Sequence, residues 1–231
     1  MTTIESNLQT VRLRIAKACA ASGRNAQHVQ LLAVSKTFPA AAVSEALAAG
    51  QAAFGENYIQ EAVAKMAALP RDGIVWHCIG PVQSNKTRLV AEHFDWVQSI
   101  DRLRIAQRLN DQRPQAHAPL QVCIQVNTDG GANKAGVPPE ELPALAQAVA
   151  QLPRLRLRGL MTIPEPAPDA DTARAVHARA KRLFDQLNAA GMGLDTLSMG
   201  MSGDLEAAIH AGSTMVRSGT AIFGARATAE A

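Results

Sequence analysis

Eight short apolar runs bounded by turn residues recur along the chain: LLAVS (31–35), AAFGE (52–56), IVWHCIG (74–80), DWVQSI (95–100), LQVCIQV (120–126), LRLRGLMTI (155–163), TLSMG (196–200) and TMVRSG (214–219). They read as apolar rather than alternating, the pattern of strands covered on both faces. Helix-spaced segments fill the gaps at 40–50, 58–69, 84–93, 101–112, 139–152, 171–191 and 204–212. Strands alternating with helices through short connections predict parallel pairing by crossover. Eight such units predict an α/β fold, a closed TIM-type (β/α)8 barrel. Asp101 and Asp171 are placed as helix N-caps, and Gly50, Gly191 and Gly212 as the left-handed residues that end helices. One more helix, residues 4–22, precedes the first strand with apolar positions at Leu8, Val11, Ile15 and Ala18 and is expected to cover part of the barrel's outside. No linker, low-complexity tract or internal repeat divides the chain, so residues 1–231 read as one domain.

Composition keeps this picture and narrows it. The chain has 47% hydrophobic and 19% charged residues, which suits a soluble protein with a sizeable core. No apolar run approaches the roughly 18 residues of a membrane span, and the N-terminus lacks the apolar block of a signal peptide. A cytoplasmic protein is expected. Cys19, Cys78 and Cys123 are odd in number, widely spaced and set in apolar segments, which fits reduced core thiols better than disulfides or zinc. Net charge is +3, and no basic block interleaves with aromatics, so neither nucleic acid nor a membrane surface is suggested as a partner. The basic run RLRLR at 154–158 alternates with leucine as one face of a strand does. No long exposed apolar helix face stands out, and a monomer is expected.

In such a barrel the chemistry lies where strands end and the following loops begin. That rule collects Lys36, Glu56, Asn57, His77, Gly80, Ser99, Asp101, Asn127, Thr162, Met199 to Ser202 and Arg217 to Thr220 at one mouth. Ser202 and Gly203 stand before a helix, and Gly219 and Thr220 follow the eighth strand; two such loops together suit a phosphate group, though each alone could be a tight turn or a cap. Lys36 closes an apolar strand. Its ammonium either reaches solvent at the rim or is partly desolvated, which lowers its pKa and frees an amine for a Schiff base. A phosphate grip facing a Schiff-base lysine specifies a phosphorylated carbonyl ligand, and pyridoxal 5'-phosphate (PLP) has both handles. Arg217 then either faces the ring nitrogen as a permanent donor, leaving the ring a weak electron sink, or is ion-paired with Asp204 or Glu206.

The stretches AVSKTFP, FGENYIQEAVAK, WHCIGPVQSNKTRLV, LRGLMTI and LSMGMSGDLEAAIHAGSTMVRSGTAIFGAR together resemble the pyridoxal phosphate homeostasis protein family, also called the YggS or PROSC family, over nearly the whole chain. The resemblance implies a fold type III barrel similar to the N-terminal domain of alanine racemase, with PLP on Lys36. It further implies that Ser202, Gly219 and Thr220 hold the phosphate, that Arg217 meets the ring nitrogen, and that Asn57 and Met199 lie near the cofactor. Lys86 and Lys134 match positions suspected of handling cofactor in transit, and exposed lysines are an equal reading of both. The segment NTDGGANKAG is glycine-rich where many relatives are acidic.

The implied function is intracellular PLP homeostasis by buffering or delivery, with transient contact to PLP-dependent apo-enzymes and without robust catalysis. The alternative is a weak PLP-dependent amino-acid racemase in which Lys36 abstracts the α-proton alone. A barrel racemase needs a second base, in alanine racemase a tyrosine from another domain and subunit. The only tyrosine here, Tyr58, sits beside Asn57 at a helix start, and His77 is expected to pack or hydrogen-bond near the ring.

Overall fold

The computed structural model describes residues 3–129 and 135–225. Eight parallel strands close into a barrel in chain order: β1 (Gln30–Val34), β2 (Ala53–Glu56), β3 (Val75–Cys78), β4 (Trp96–Ile100), β5 (Leu120–Gln125), β6 (Leu155–Met161), β7 (Thr196–Ser198) and β8 (Met215–Ser218). Every run predicted as a strand overlaps one, and β1 begins one residue earlier, at Gln30. The connecting helices are α2 (Ala40–Ala48), α3 (Ile59–Ala67), α4 (Thr87–His93), α5 (Leu103–Gln112), α6 (Leu142–Ala150), α7 (Ala170–Ala189) and α8 (Leu205–His210), with a short α9 (Thr220–Phe223) after β8. Sheet closure pairs β1 with β8 and sets Leu32 opposite Arg217 and Ala33 opposite Ser218.

Alternation along the strands sorts side chains into two cores. Leu31 and Ala33 of β1 join the large layer between barrel and helices, whereas Leu32 and Val34 pack inside the barrel with Ala53, Ile79 and Met215. A one-residue slip of any strand would exchange the two sets, so burial fixes the register and hence which polar groups face inward.

The extra helix α1 (Ile4–Ala21) starts at Thr3, whose side chain accepts from the Ser6 N–H, and buries the predicted face: Leu8, Val11, Ile15 and Ala18, with Cys19. It does more than cover the outside. Asn7 Nδ2 donates to the Ile222 carbonyl at 2.9 Å, and Arg14 donates to the Ser202 carbonyl at 3.0 Å while pairing with Glu206 at 2.7 Å. The helix thus braces both loops that follow β7 and β8.

Two predicted caps are corrected. The cap of α7 is Asp169, whose carboxylate accepts from the Thr172 N–H at 2.7 Å and its hydroxyl at 3.0 Å, and Asp171 lies in the first turn. Before α5 stands Arg102 in extended conformation, and Asp101 pairs with its guanidinium. Gly50, Gly191 and Gly212 do take positive φ, 79°, 85° and 104°. All three cysteines are free and buried, and burial pushes the thiols of Cys78 and Cys123 up to about 12, so they are packing groups.

Candidate functional site

Lys36 sits half-buried just beyond β1, second in a four-residue turn closed by the Phe38 N–H donating to the Ser35 carbonyl at 3.1 Å. Beneath this turn lies a buried polar knot that sequence reasoning missed in part. Lys65 of α3 donates to the Ser35 carbonyl at 2.8 Å and to Glu56 Oε1 at 2.6 Å, and the Ser35 hydroxyl donates to the same oxygen at 2.6 Å. Burial pushes the Glu56 carboxyl up, and the bonds from Lys65 and Ser35 oppose that rise. Glu56 was legible as a charge closing an apolar strand, like Lys36. Lys65 falls on the face of α3 that buries Ile59 and Ala62, a spacing of three that carried the signal.

The anion loops stand next to this turn. Gly219 brings the backbone after β8 so near β1 that a Cβ there would lie 3.1 Å from the Val34 carbonyl oxygen. Phe38, in the Lys36 turn, stacks on Phe223 of α9 with ring centroids 5.1 Å apart. Across the loop pair, the Ser202 and Ser218 hydroxyls are 3.0 Å apart. Thr220 is exposed at the start of α9. The β7–α8 turn is fixed from behind: Asp204 accepts from the Met201 N–H at 2.6 Å and from His177 Nε2 at 2.8 Å. Ser202, Gly219 and Thr220 therefore come together beside Lys36.

Arg217 points inward from β8, only 3% exposed. Its Nη1 donates to Ser198 Oγ at 2.8 Å and its Nη2 to the Thr162 carbonyl at 2.7 Å. Neither of the sequence alternatives of an ion pair to Asp204 or Glu206 is formed among the described residues. Burial lowers its pKa to about 10, so the guanidinium stays charged at neutral pH. Because arginine only donates, the polarity of the whole interior chain follows from it. Ser198 accepts from Arg217 and so gives its proton to Gln98 Oε1 at 2.7 Å, which turns the Gln98 amide nitrogen toward His77 Nδ1 at 2.9 Å. That nitrogen accepts, so His77 carries its proton on Nε2, a buried atom without a partner. Burial lowers the His77 pKa to about 3, and the neutral ring stacks on Trp96 at 5.0 Å. His77 is thus a packed, hydrogen-bonded interior group, as its sequence position suggested.

The remaining candidates divide. Asn57 follows β2, and its backbone is so close to Gly80 that any Cβ there would lie 2.5 Å from the Asn57 carbonyl oxygen; its own Oδ1 is buried without a partner. Tyr58, exposed, shares with Asn57, Pro81, Gln83 and Lys86 a recess of about 460 Å³. Met199 is fully buried in the layer between barrel and helices, packed outward, so it shapes the β7–α8 turn from behind and does not line the mouth. Lys134 lies outside the described residues.

This arrangement can receive one elongated ligand with an anionic end on hydroxyls and loop N–H groups, a carbonyl end at Lys36, and an acceptor facing Arg217. A family model described as the N-terminal domain of alanine racemase matches residues 4–227. A Pseudomonas aeruginosa protein named pyridoxal phosphate homeostasis protein is 60% identical over 226 residues, 98% of this chain and 97% of that one. The structure of PipY from Synechococcus elongatus with PLP bound superposes with a TM-score of 0.79 at 40% identity, covering 91% of this chain and 100% of that chain. Alanine racemase of Clostridium difficile shares the fold alone, with a TM-score of 0.77 at 14% identity over 96% of this chain and 56% of that one. Motifs, barrel and relatives agree: the chain belongs to the pyridoxal phosphate homeostasis protein family, on the fold of the alanine racemase N-terminal domain.

Proposed function

We propose that this chain binds pyridoxal 5'-phosphate, with Lys36 as the amine that meets its aldehyde, and serves vitamin B6 homeostasis by buffering or delivering the cofactor. The observation that carries this reading is the juxtaposition of the Lys36 turn with the Ser202 and Gly219 loops, tied together by the Gly219–Val34 approach and the Phe38–Phe223 stack. The residues present fit the cofactor. Ser202, Ser218 and Thr220 offer hydroxyls, α9 offers the backbone N–H groups at its start, and Arg217 is a buried cation on neutral acceptors with N–H groups to spare. Asn57 Oδ1 and Thr162 Oγ1 are buried without partners. Bound PLP supplies an aldehyde for a primary amine and a pyridine ring whose nitrogen sets how well it withdraws electrons.

The chain's own residues favour holding over turnover. Arg217, charged at neutral pH, donates and offers no proton sink of carboxylate type. His77 is neutral and enclosed, with its hydrogen-bonding nitrogen committed to Gln98, so it is not poised to move a proton at the mouth. Tyr58 is exposed and lines the recess shared with Asn57 and Lys86. Neither His77 nor Tyr58 is placed to serve as a second base opposite Lys36, which supports a carrier over an amino-acid racemase. The name of the P. aeruginosa relative and the PLP in PipY support the same ligand. We further read the chain as a monomer that meets PLP-dependent apo-enzymes transiently.

Purified protein titrated with PLP should develop visible absorbance at one equivalent, and incubation of that complex with L-alanine in deuterated water should leave the α-hydrogen unexchanged. Sustained α-deuterium incorporation would overturn the carrier reading in favour of the racemase.

A further inference from the structure

The Lys36 turn contains the one non-glycine residue with positive φ among the described residues, Thr37 at 68°. A β-branched residue rarely adopts this region, which in the third position of a turn is ordinarily left to glycine. Such a conformation persists only where its surroundings over-determine it. Beside the Phe38 N–H that closes the turn, two side chains of one helix restrain it. Glu61 of α3 accepts the Thr37 N–H at 3.0 Å, and Lys65, one turn further along, donates to the Ser35 carbonyl at 2.8 Å. The peptide groups on either side of Lys36 are therefore each held by a side chain of α3, and the two side chains face each other at 3.6 Å. Lys65 is further fixed on Glu56, which receives the Ser35 hydroxyl as well.

We propose that Glu61 and Lys65 form a positioning clamp that sets the direction in which Lys36 leaves the backbone, and so governs how long the bound cofactor is retained. The proposal rests on the reading of Lys36 as the PLP-bearing amine. The two members differ in kind. Lys65 is buried and joined to Glu56, a permanent part of the fold, whereas Glu61 is 42% exposed and can be displaced by solvent or by a docking protein. Loss of the Glu61 bond frees Thr37 to relax toward negative φ and swings the Lys36 stem with it. The clamp thereby gives the site a release point that lies outside its ligand-contacting atoms.

The test uses the full chain loaded with PLP and chased with excess hydroxylamine, following loss of visible absorbance. Glu61→Ala should release about three- to tenfold faster than the wild type, the effect of one ordinary hydrogen bond. Glu61→Gln keeps a side-chain oxygen for the Thr37 N–H and should release at nearly the wild-type rate. Thr37→Gly adopts positive φ without cost, so adding Glu61→Ala to Thr37→Gly should change the rate little. A Glu61→Ala protein that releases at the wild-type rate, or a Glu61→Ala effect undiminished in the Thr37→Gly background, overturns the clamp. Failure of the wild type to take up PLP through Lys36 overturns instead the reading on which it rests.

Discussion

Glu56 and Arg217 are both charged groups buried at strand ends, 0% and 3% exposed, Glu56 turned outward to helix α3 and Arg217 into the barrel, and the protein treats them in opposite ways. Glu56 is answered at once: Lys65 and Ser35 converge on one oxygen at 2.6 Å, and the pair is closed to solvent. Arg217 is hydrogen-bonded only to neutral oxygens, the Ser198 hydroxyl and the Thr162 carbonyl, with Asp204 acting on it from a distance. A buried charge with no directly bonded counter-ion is costly, and such groups cluster at binding sites. The difference separates scaffold from site. The Glu56–Lys65 knot completes the wall under the Lys36 turn, while Arg217 is held on a relay through Ser198, Gln98 and His77 and, on the proposed function, keeps donors for an acceptor brought from outside.

Breaking the closed side should cost most. Lys65→Met leaves the Glu56 carboxylate buried without its cation, held only by the Ser35 hydroxyl, and is expected to lower stability by about 3–5 kcal/mol in urea unfolding. Adding Glu56→Gln should recover most of that loss. If Lys65→Met costs under about 1 kcal/mol, the knot is not the closed pair described here.

Next in size is a pH effect from the relay. His77 would titrate at 6.5 in the unfolded chain and at about 3 in the fold, because burial penalises its charged form. Between these values the unfolded chain binds the extra proton, so stability is fully present above about pH 6.5 and falls as pH drops toward about 3. The slope is up to about 1.4 kcal/mol per pH unit. His77→Phe, which preserves a ring over Trp96, should flatten the unfolding-pH curve in that window by about one proton. A variant with the wild-type slope would show that His77 titrates normally in the fold.

The open side should show its weight in binding. Arg217→Leu is expected to weaken PLP affinity about ten- to hundredfold, the worth of a hydrogen bond to a charged group, while its urea midpoint moves far less than that of Lys65→Met. The reverse pattern, a large stability loss with unchanged affinity, would make Arg217 scaffold as well.

Much of this was legible in the sequence for a definite reason. Strands buried on both faces announce themselves as apolar runs, and the rule that chemistry follows the strand ends brought Lys36, Asn57, Ser202, Arg217, Gly219 and Thr220 to one mouth. What escaped depended on partners that only folding brings together. The α3 spacing marks Lys65 as a buried-face residue without naming Glu56 as its partner, and Gln98 gains meaning only when closure sets Ser198 and His77 on either side. The cap of α7 falls at Asp169 and not at the expected Asp171 because the earlier carboxylate reaches both the N–H and the hydroxyl of Thr172, which only geometry reveals. Met199 was drawn to the mouth by its motif, and strand alternation turns it outward into the helix layer.

The central claim is that one particular lysine receives the cofactor. Reduction of the PLP-loaded protein with borohydride, followed by peptide mass spectrometry, tests it directly. The account predicts one pyridoxyl group per chain, on the peptide containing Lys36, and none on Lys36→Ala. A label on Lys65, Lys86 or Lys134 with Lys36 unmodified would contradict it.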